Sequence, residues 1–230
     1  MKNIKIVVFL AIVVFLASCA KDEIYSCDPD ANQWVKSNLT EIQQMNRAEW
    51  LAIGDLNMQR AAYSAFTPHQ KRVIWIGKME EVLNLDWSIQ EKQHIQYMLD
   101  FIKVNPIIFS NEAGSKSIDE VELVLYKWEE YAKEELGWER ELLYDLVFTP
   151  QAMTVNKEID SDLPTSKRLK SRNENEVVIL VCTCNTYAQD CRDKTSECWA
   201  TDQPVRCHKK DSGCGFLWWN NECNGLCYNY

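Results

Sequence analysis

Histidine is nearly absent from this 230-residue chain, with only His69, His94 and His208. They fall in a helix-start motif, on a helix and among cysteines, and none belongs to a nucleophile or metalloprotease pattern. Carboxylates are plentiful, but no pair is set apart as a general acid and base. No catalytic residue and no cofactor is therefore expected, and the chain reads as a non-enzyme. Basic residues are also short, 25 Lys and Arg against 34 Asp and Glu. That deficit excludes the basic footprint nucleic-acid binding requires. No apolar run approaches the ~20 residues of a spanning helix, and no repeat period is visible.

What is present begins with a basic start at Lys2 and Lys5 and twelve apolar residues from Ile6 to Ala17. This is the pattern of a signal peptide. It closes on Leu16-Ala17-Ser18-Cys19, which resembles the lipobox of bacterial lipoproteins, and that resemblance implies acylation of Cys19 and attachment to a membrane through lipid. Lys21-Asp22-Glu23 after it resembles the signal that carries Bacteroidetes lipoproteins to the outer leaflet, so an outer-membrane, surface-exposed location is expected.

From Asp28 to Pro150 the sequence reads as helices. Asp28-Pro29 offers a cap followed by proline in the first turn, and Thr67-Pro68-His69-Gln70, Ser88-x-x-Glu91 and Ser117-x-x-Glu120 are capping boxes. Ile95, Met98, Leu99 and Ile102 form one apolar stripe. Ile118, Val121, Leu125, Trp128 and Ala132 form another, with Gly137 placed to end that helix. This stretch holds twelve Lys and Arg against twenty-one Asp and Glu, so the formal charge deficit of the chain resides here.

From Gln151 to Glu176 the periodicity stops. With Pro164 and the basic string from Lys167 to Arg172, an exposed, protease-sensitive linker is expected. The rest is dense in cysteine: Cys182, Cys184, Cys191, Cys198, Cys207, Cys214, Cys223 and Cys227. Long aliphatics are few there, so disulfides must hold what a hydrophobic core holds elsewhere. The paired knuckles of structural zinc are missing except at Cys223-x-x-x-Cys227, and no metal site is expected. Cys182 and Cys184 leave one face of a strand and should not bond each other. Asn224-Gly225 reads as a hairpin turn. Cys27 is left over from the tail's even set and should be free or intermolecularly bridged. Trp218 and Trp219, adjacent on an expected strand, cannot both face one interior, so one should be exposed as a membrane or receptor contact.

The run from Cys182 to Cys191, the Gly213-Cys214-Gly215 triplet and the closing Cys223-Asn224-Gly225 together resemble the eight-cysteine framework of fulvocin C, and the chain resembles the bacteriocin fulvocin C-related proteins over its last fifty or so residues. The resemblance implies antagonism of neighbouring bacteria through a receptor or their envelope. The alternative is a non-toxic recognition lipoprotein whose tail is a stable head or brace. The expected architecture is multi-domain, an all-α helical domain followed by a small disulfide-rich β module: a lipoprotein signal peptide at 1–18, a lipidated tether at 19–27, an acidic helical domain at 28–150, a linker at 151–176 and the cysteine-rich module at 177–230.

Overall fold

The structure, a computed structural model, describes residues 23–26, 28–110, 115–159, 180–182, 184–186, 191–200, 207–208, 210–219 and 221–229. Cys19, Cys27 and the basic string at 167–172 lie outside them.

Eight α-helices occupy the described part of the acidic segment: α1 Pro29–Ser37, α2 Leu39–Ile42, α3 Arg47–Leu51, α4 Leu56–Ala65, α5 Pro68–Leu83, α6 Ile89–Val104, α7 Ser115–Glu134 and α8 Arg140–Leu143. A wide turn, Tyr144–Phe148, comes after α8. The helix starts obey local chemistry. Asp28 accepts from the amides of Asp30 and Ala31 ahead of α1, and Thr67–Gln70 and Ser88–Glu91 close reciprocal capping boxes at α5 and α6, each satisfying amides that the first turn leaves unpaired. The box expected at Ser117 is not a start, because α7 already runs from Ser115. A box at Asn46–Glu49, which opens α3, was not anticipated. Gly137 has φ +65°, the left-handed residue that ends α7 while Trp138 N–H reaches back to Ala132 O.

The two expected stripes are inside, Ile95, Met98, Leu99 and Ile102 on α6 with Val121, Leu125, Trp128 and Ala132 on α7. They join Trp50, Tyr63, Trp75 and Met79 in one core. Two of its tryptophans satisfy their polar groups internally. Trp50 and Trp75 donate their indole N–H groups to Gln59 O and Tyr63 Oη, as burial demands.

The expected linker does not begin at Gln151. Gln151 is buried and donates to Gln59 Oε1 at 2.7 Å, Met153 bridges Ile159, and Ile159 N–H bonds Asp145 Oδ2. Hydrophobic periodicity stops here because backbone groups make the anchorage: the carbonyls of Pro150 and Gln151 accept from Arg47 and from the buried Lys78.

Among the described residues the cysteine module forms three two-stranded ribbons. Strands β1 Leu180–Val181 and β3 Cys207–His208 pair in parallel, β2 Ser196–Ala200 with β6 Gly225–Asn229 and β4 Lys210–Cys214 with β5 Asn221–Cys223 antiparallel. Asn224-Gly225 is not a hairpin turn, since the strands on either side belong to different ribbons. Instead both amides donate to Cys184 O. Glycine is needed there for close approach: a Cβ on Gly225 would lie 2.5 Å from Trp199 O and 2.7 Å from Cys198 Sγ.

Helices and module share one core, so they are not the two independently folded parts expected. Phe216, Leu217, Trp218 and Trp219 are all buried among the helical residues. The chain reaches this position through a tight turn in which Leu217 and Trp218 both adopt left-handed φ, +53° and +49°. Such backbone costs roughly 1–2 kcal/mol per residue, and it persists because the surrounding packing over-determines it.

Candidate ligand groove and its cysteine brace

Trp218 and Trp219 are the clearest departure from expectation. Each is 5 % exposed, so neither is a surface contact. The alternation rule that put one outside applies to strands, whereas Trp218 stands in the left-handed turn and Trp219 in the extended residue that closes it. Trp218 donates its indole N–H to Phe148 O at 2.8 Å, meets Tyr63 edge-on at 4.9 Å and lies under the Arg60 guanidinium at 5.3 Å. Aromatic residues that are exposed on the module's described part are Trp199 and Tyr228, 38 % each. They share one face of the β2–β6 ribbon, since Trp199 opposes Leu226 and Tyr228 opposes Glu197.

The bridges are Cys184–Cys198, Cys191–Cys227 and Cys214–Cys223, and Cys182 is disulfide-bonded as well. Cys182 and Cys184 indeed do not bond each other, Cys184 taking Cys198. Cys207 is placed in β3 by its backbone. Sulfurs of Cys184, Cys191 and Cys198 lie within 4.8 Å of one another. They belong to two bridges, so they offer no thiolate to a metal unless reduced.

An ion pair reinforces the docking. Asp145, 1 % exposed, receives Arg192 through two parallel bonds, Nε–Oδ1 at 2.7 Å and Nη2–Oδ2 at 2.8 Å, the fork geometry that suits guanidinium and carboxylate. Hydrogen bonding to Asp145 pushes the Arg192 pKa up. Behind Asp145, Lys78 is fully buried and donates to Asp145 O at 2.8 Å and to Gln151 O. Burial, with Arg47 adding repulsion, pulls its pKa down to about 7 against the attraction of Asp145 and Glu81.

An open groove of about 490 Å3 runs between α6 and α7. Gln90, Gln93, His94 and Tyr97 line one wall, and Val124, Lys127, Trp128 and Tyr131 the other. Each set has a 0, 3, 4, 7 spacing, one stripe per helix beside its core stripe. His94 stacks on Trp128 at 4.4 Å with planes 10° apart and stands 4.9 Å from Tyr131. The two helices clasp each other here: Trp128 Nε1–H donates to His94 O, and His94 Nε2 bonds Trp128 O, both at 3.0 Å. Because a carbonyl only accepts, Nε2 carries the hydrogen and Nδ1 is left as an acceptor. Burial lowers the His94 pKa, so the neutral ring is favoured.

The module reaches this groove from beneath. Phe216 meets Trp128 edge-on at 5.6 Å and Phe148 at 5.5 Å. The sequence signal that could have exposed the groove was the second, polar–aromatic stripe running alongside the apolar one on both α6 and α7.

The chain matches no family model, no curated protein and no solved structure. The function of the groove and brace therefore has to come from their own chemistry. Aromatic faces, amides and one ammonium group can hold a ligand, and no liner is arranged as a nucleophile with its base.

Proposed function

We propose that the chain is an exported lipoprotein, acylated at Cys19 and held at the outer-membrane surface, that recognises an external ligand without catalysis. The observation that carries this reading is the burial of Phe216, Leu217, Trp218 and Trp219 in the helical core. A segment that fills the core of its neighbour is a brace for that neighbour, and a poor candidate for release as a separate toxin. The disulfides then stiffen the element on which the groove floor rests. The short apolar leader and Leu-Ala-Ser-Cys motif support anchoring, and a disulfide-bonded tail fits an oxidising compartment.

Antagonism of neighbouring bacteria is the second reading. It is favoured by the exposed Trp199 and Tyr228 on one ribbon face, a place where aromatic rings could engage a lipid boundary or a receptor. One experiment separates the two: apply the purified, oxidised chain to a panel of related bacteria and score adherence and growth together. Adherence without inhibition supports recognition. Inhibition that disappears on replacing Trp199 and Tyr228 with Ser supports antagonism and ends the brace-only account of the module.

A further inference from the structure

The groove between α6 and α7 has a definite ligand chemistry, and assigning it deepens the recognition reading, on which it rests. We infer that the groove binds a short acidic saccharide, a glycan segment containing uronic acid, with Tyr97 and Tyr131 against the sugar faces and Lys127 on the carboxylate.

The argument begins with the rings. Tyr97 is 53 % and Tyr131 40 % exposed, large apolar surfaces left in water beside the stacked His94–Trp128 pair. A sugar ring offers a C–H face that an aromatic ring covers and an edge of hydroxyls that needs partners. Those partners are present. Gln90 donates to Tyr131 Oη at 2.9 Å, which fixes the ring and leaves the phenolic hydrogen to donate outward. The Gln93 amide has no hydrogen-bond partner among the described residues. The tautomer of His94 set by Trp128 O leaves Nδ1 to accept from a hydroxyl. The volume, about 490 Å3, falls inside the roughly 300–1,000 Å3 usual for small-ligand clefts.

An amphipathic helix is the other occupant such a cleft can take, and the lining disfavours it. A helix docks apolar anchors into apolar holes, yet the only aliphatic liner is Val124.

Charge selects the kind of saccharide. No carboxylate lines the groove, on a helical segment where acidic residues outnumber basic ones twenty-one to twelve. Nearby acids act elsewhere: Glu129 pairs with Lys133 at 2.7 Å, and the charge of Glu130 bears on the Tyr126 hydroxyl, pushing its pKa up. Lys127 is thus the charged group at the ligand's position, and it favours a carboxylate there over a neutral hydroxymethyl.

The test is calorimetric titration of the full-length, oxidised chain with oligogalacturonate, with its methyl ester and with a neutral cello-oligosaccharide. Oligogalacturonate should bind, and the ester about tenfold more weakly, the size of one charge-assisted contact. Lys127→Gln should abolish the difference between acid and ester. Tyr97→Ala with Tyr131→Ala should abolish binding of both, and Tyr97→Phe should retain it, while circular dichroism and Tm confirm folding. Equal binding of acid and ester by the unaltered chain overturns the acidic assignment. Binding unchanged in the double tyrosine variant overturns the groove. If no saccharide binds while the chain still adheres to cells, this inference falls and the recognition reading stands. Capture of an amphipathic helical peptide, lost on the same substitutions, would make the groove a helix-docking surface and overturn the inference.

Discussion

Phe216 meets Trp128 at 89° with ring centroids 5.6 Å apart, and through that one contact the cysteine module touches the floor of the groove. Edge-to-face aromatic pairs contribute about 0.5–1.5 kcal/mol beyond the area they bury. Phe216→Leu keeps most of the apolar volume and removes the edge contact. It should cost about 1–2 kcal/mol of stability, and loosen the His94–Trp128 stack enough to shift the His94 ring resonances by NMR. Unchanged resonances would mean the module does not brace the groove.

Trp218→Ala should be more damaging. It removes the bond to Phe148 O, the edge contact with Tyr63 and the ring beneath Arg60, and leaves a cavity that its strained backbone cannot close. A loss of about 3–5 kcal/mol is expected, read by urea denaturation. A loss under about 1 kcal/mol, the size of an ordinary surface substitution, would contradict the docked arrangement.

Limited trypsin should cut in the basic string at 167–172, and the two fragments should then co-elute under native conditions, held by the shared core and by Arg192–Asp145. They should part in denaturant. Arg192→Gln, which leaves the carboxylate of Asp145 buried without its guanidinium, should cost about 2–3 kcal/mol. This is below the roughly 3–5 kcal/mol for a fully buried pair, because the Arg192 side chain is 39 % exposed. Fragments that separate on their own would restore the two-part architecture.

Lys78 gives a pH dependence with a definite sign. Its folded pKa, about 7, lies below the unfolded value of 10.5, so the unfolded chain binds more protons between those limits and stability rises with pH across that window. Below about pH 7 the lysine is charged in both states and the full burial penalty remains. Lys78→Met should flatten the slope between pH about 7 and 10.5, measured as the difference between the two proteins by denaturant unfolding. Parallel slopes would show that Lys78 is not the group responsible.

The bridges should rank by the loop each closes. Cys191–Cys227 spans 36 residues and Cys214–Cys223 spans 9, so chain entropy assigns about 4 and about 2.5 kcal/mol respectively. Paired Cys→Ser variants and chemical denaturation test the order, and a reversed order would show that strain or residual structure outweighs loop entropy here.

Helix starts were legible because capping is local chemistry: Asp28, Thr67 and Ser88 each find their partners within three residues. The buried faces of α6 and α7 were legible for a similar reason, since periodicity reports which side is apolar. What faces that side is a longer-range matter. Nothing within a few residues of Trp218 signals a left-handed turn, and Asn224-Gly225 has the composition of a hairpin while serving a crossing of strands. Disulfide pairing was closed to sequence for the same reason, apart from the exclusion of Cys182–Cys184, which strand geometry supplies. The groove lay in plain view as a spacing, but a stripe of Gln, His, Tyr and Lys looks like an ordinary solvated face until its neighbour across the cleft is known.

The left-handed turn at Leu217-Trp218 also bears on the order of assembly. The helices are synthesised first, yet the residues that complete their core come long after the last of them in the chain. Until that turn arrives, Tyr63, Trp128 and Phe148 surround an open socket, and the usual completion of an N-terminal domain ahead of the C-terminal part is blocked. Maturation of the helical part is thereby tied to oxidation of the tail, so a chain whose disulfides have not formed has no finished groove to present.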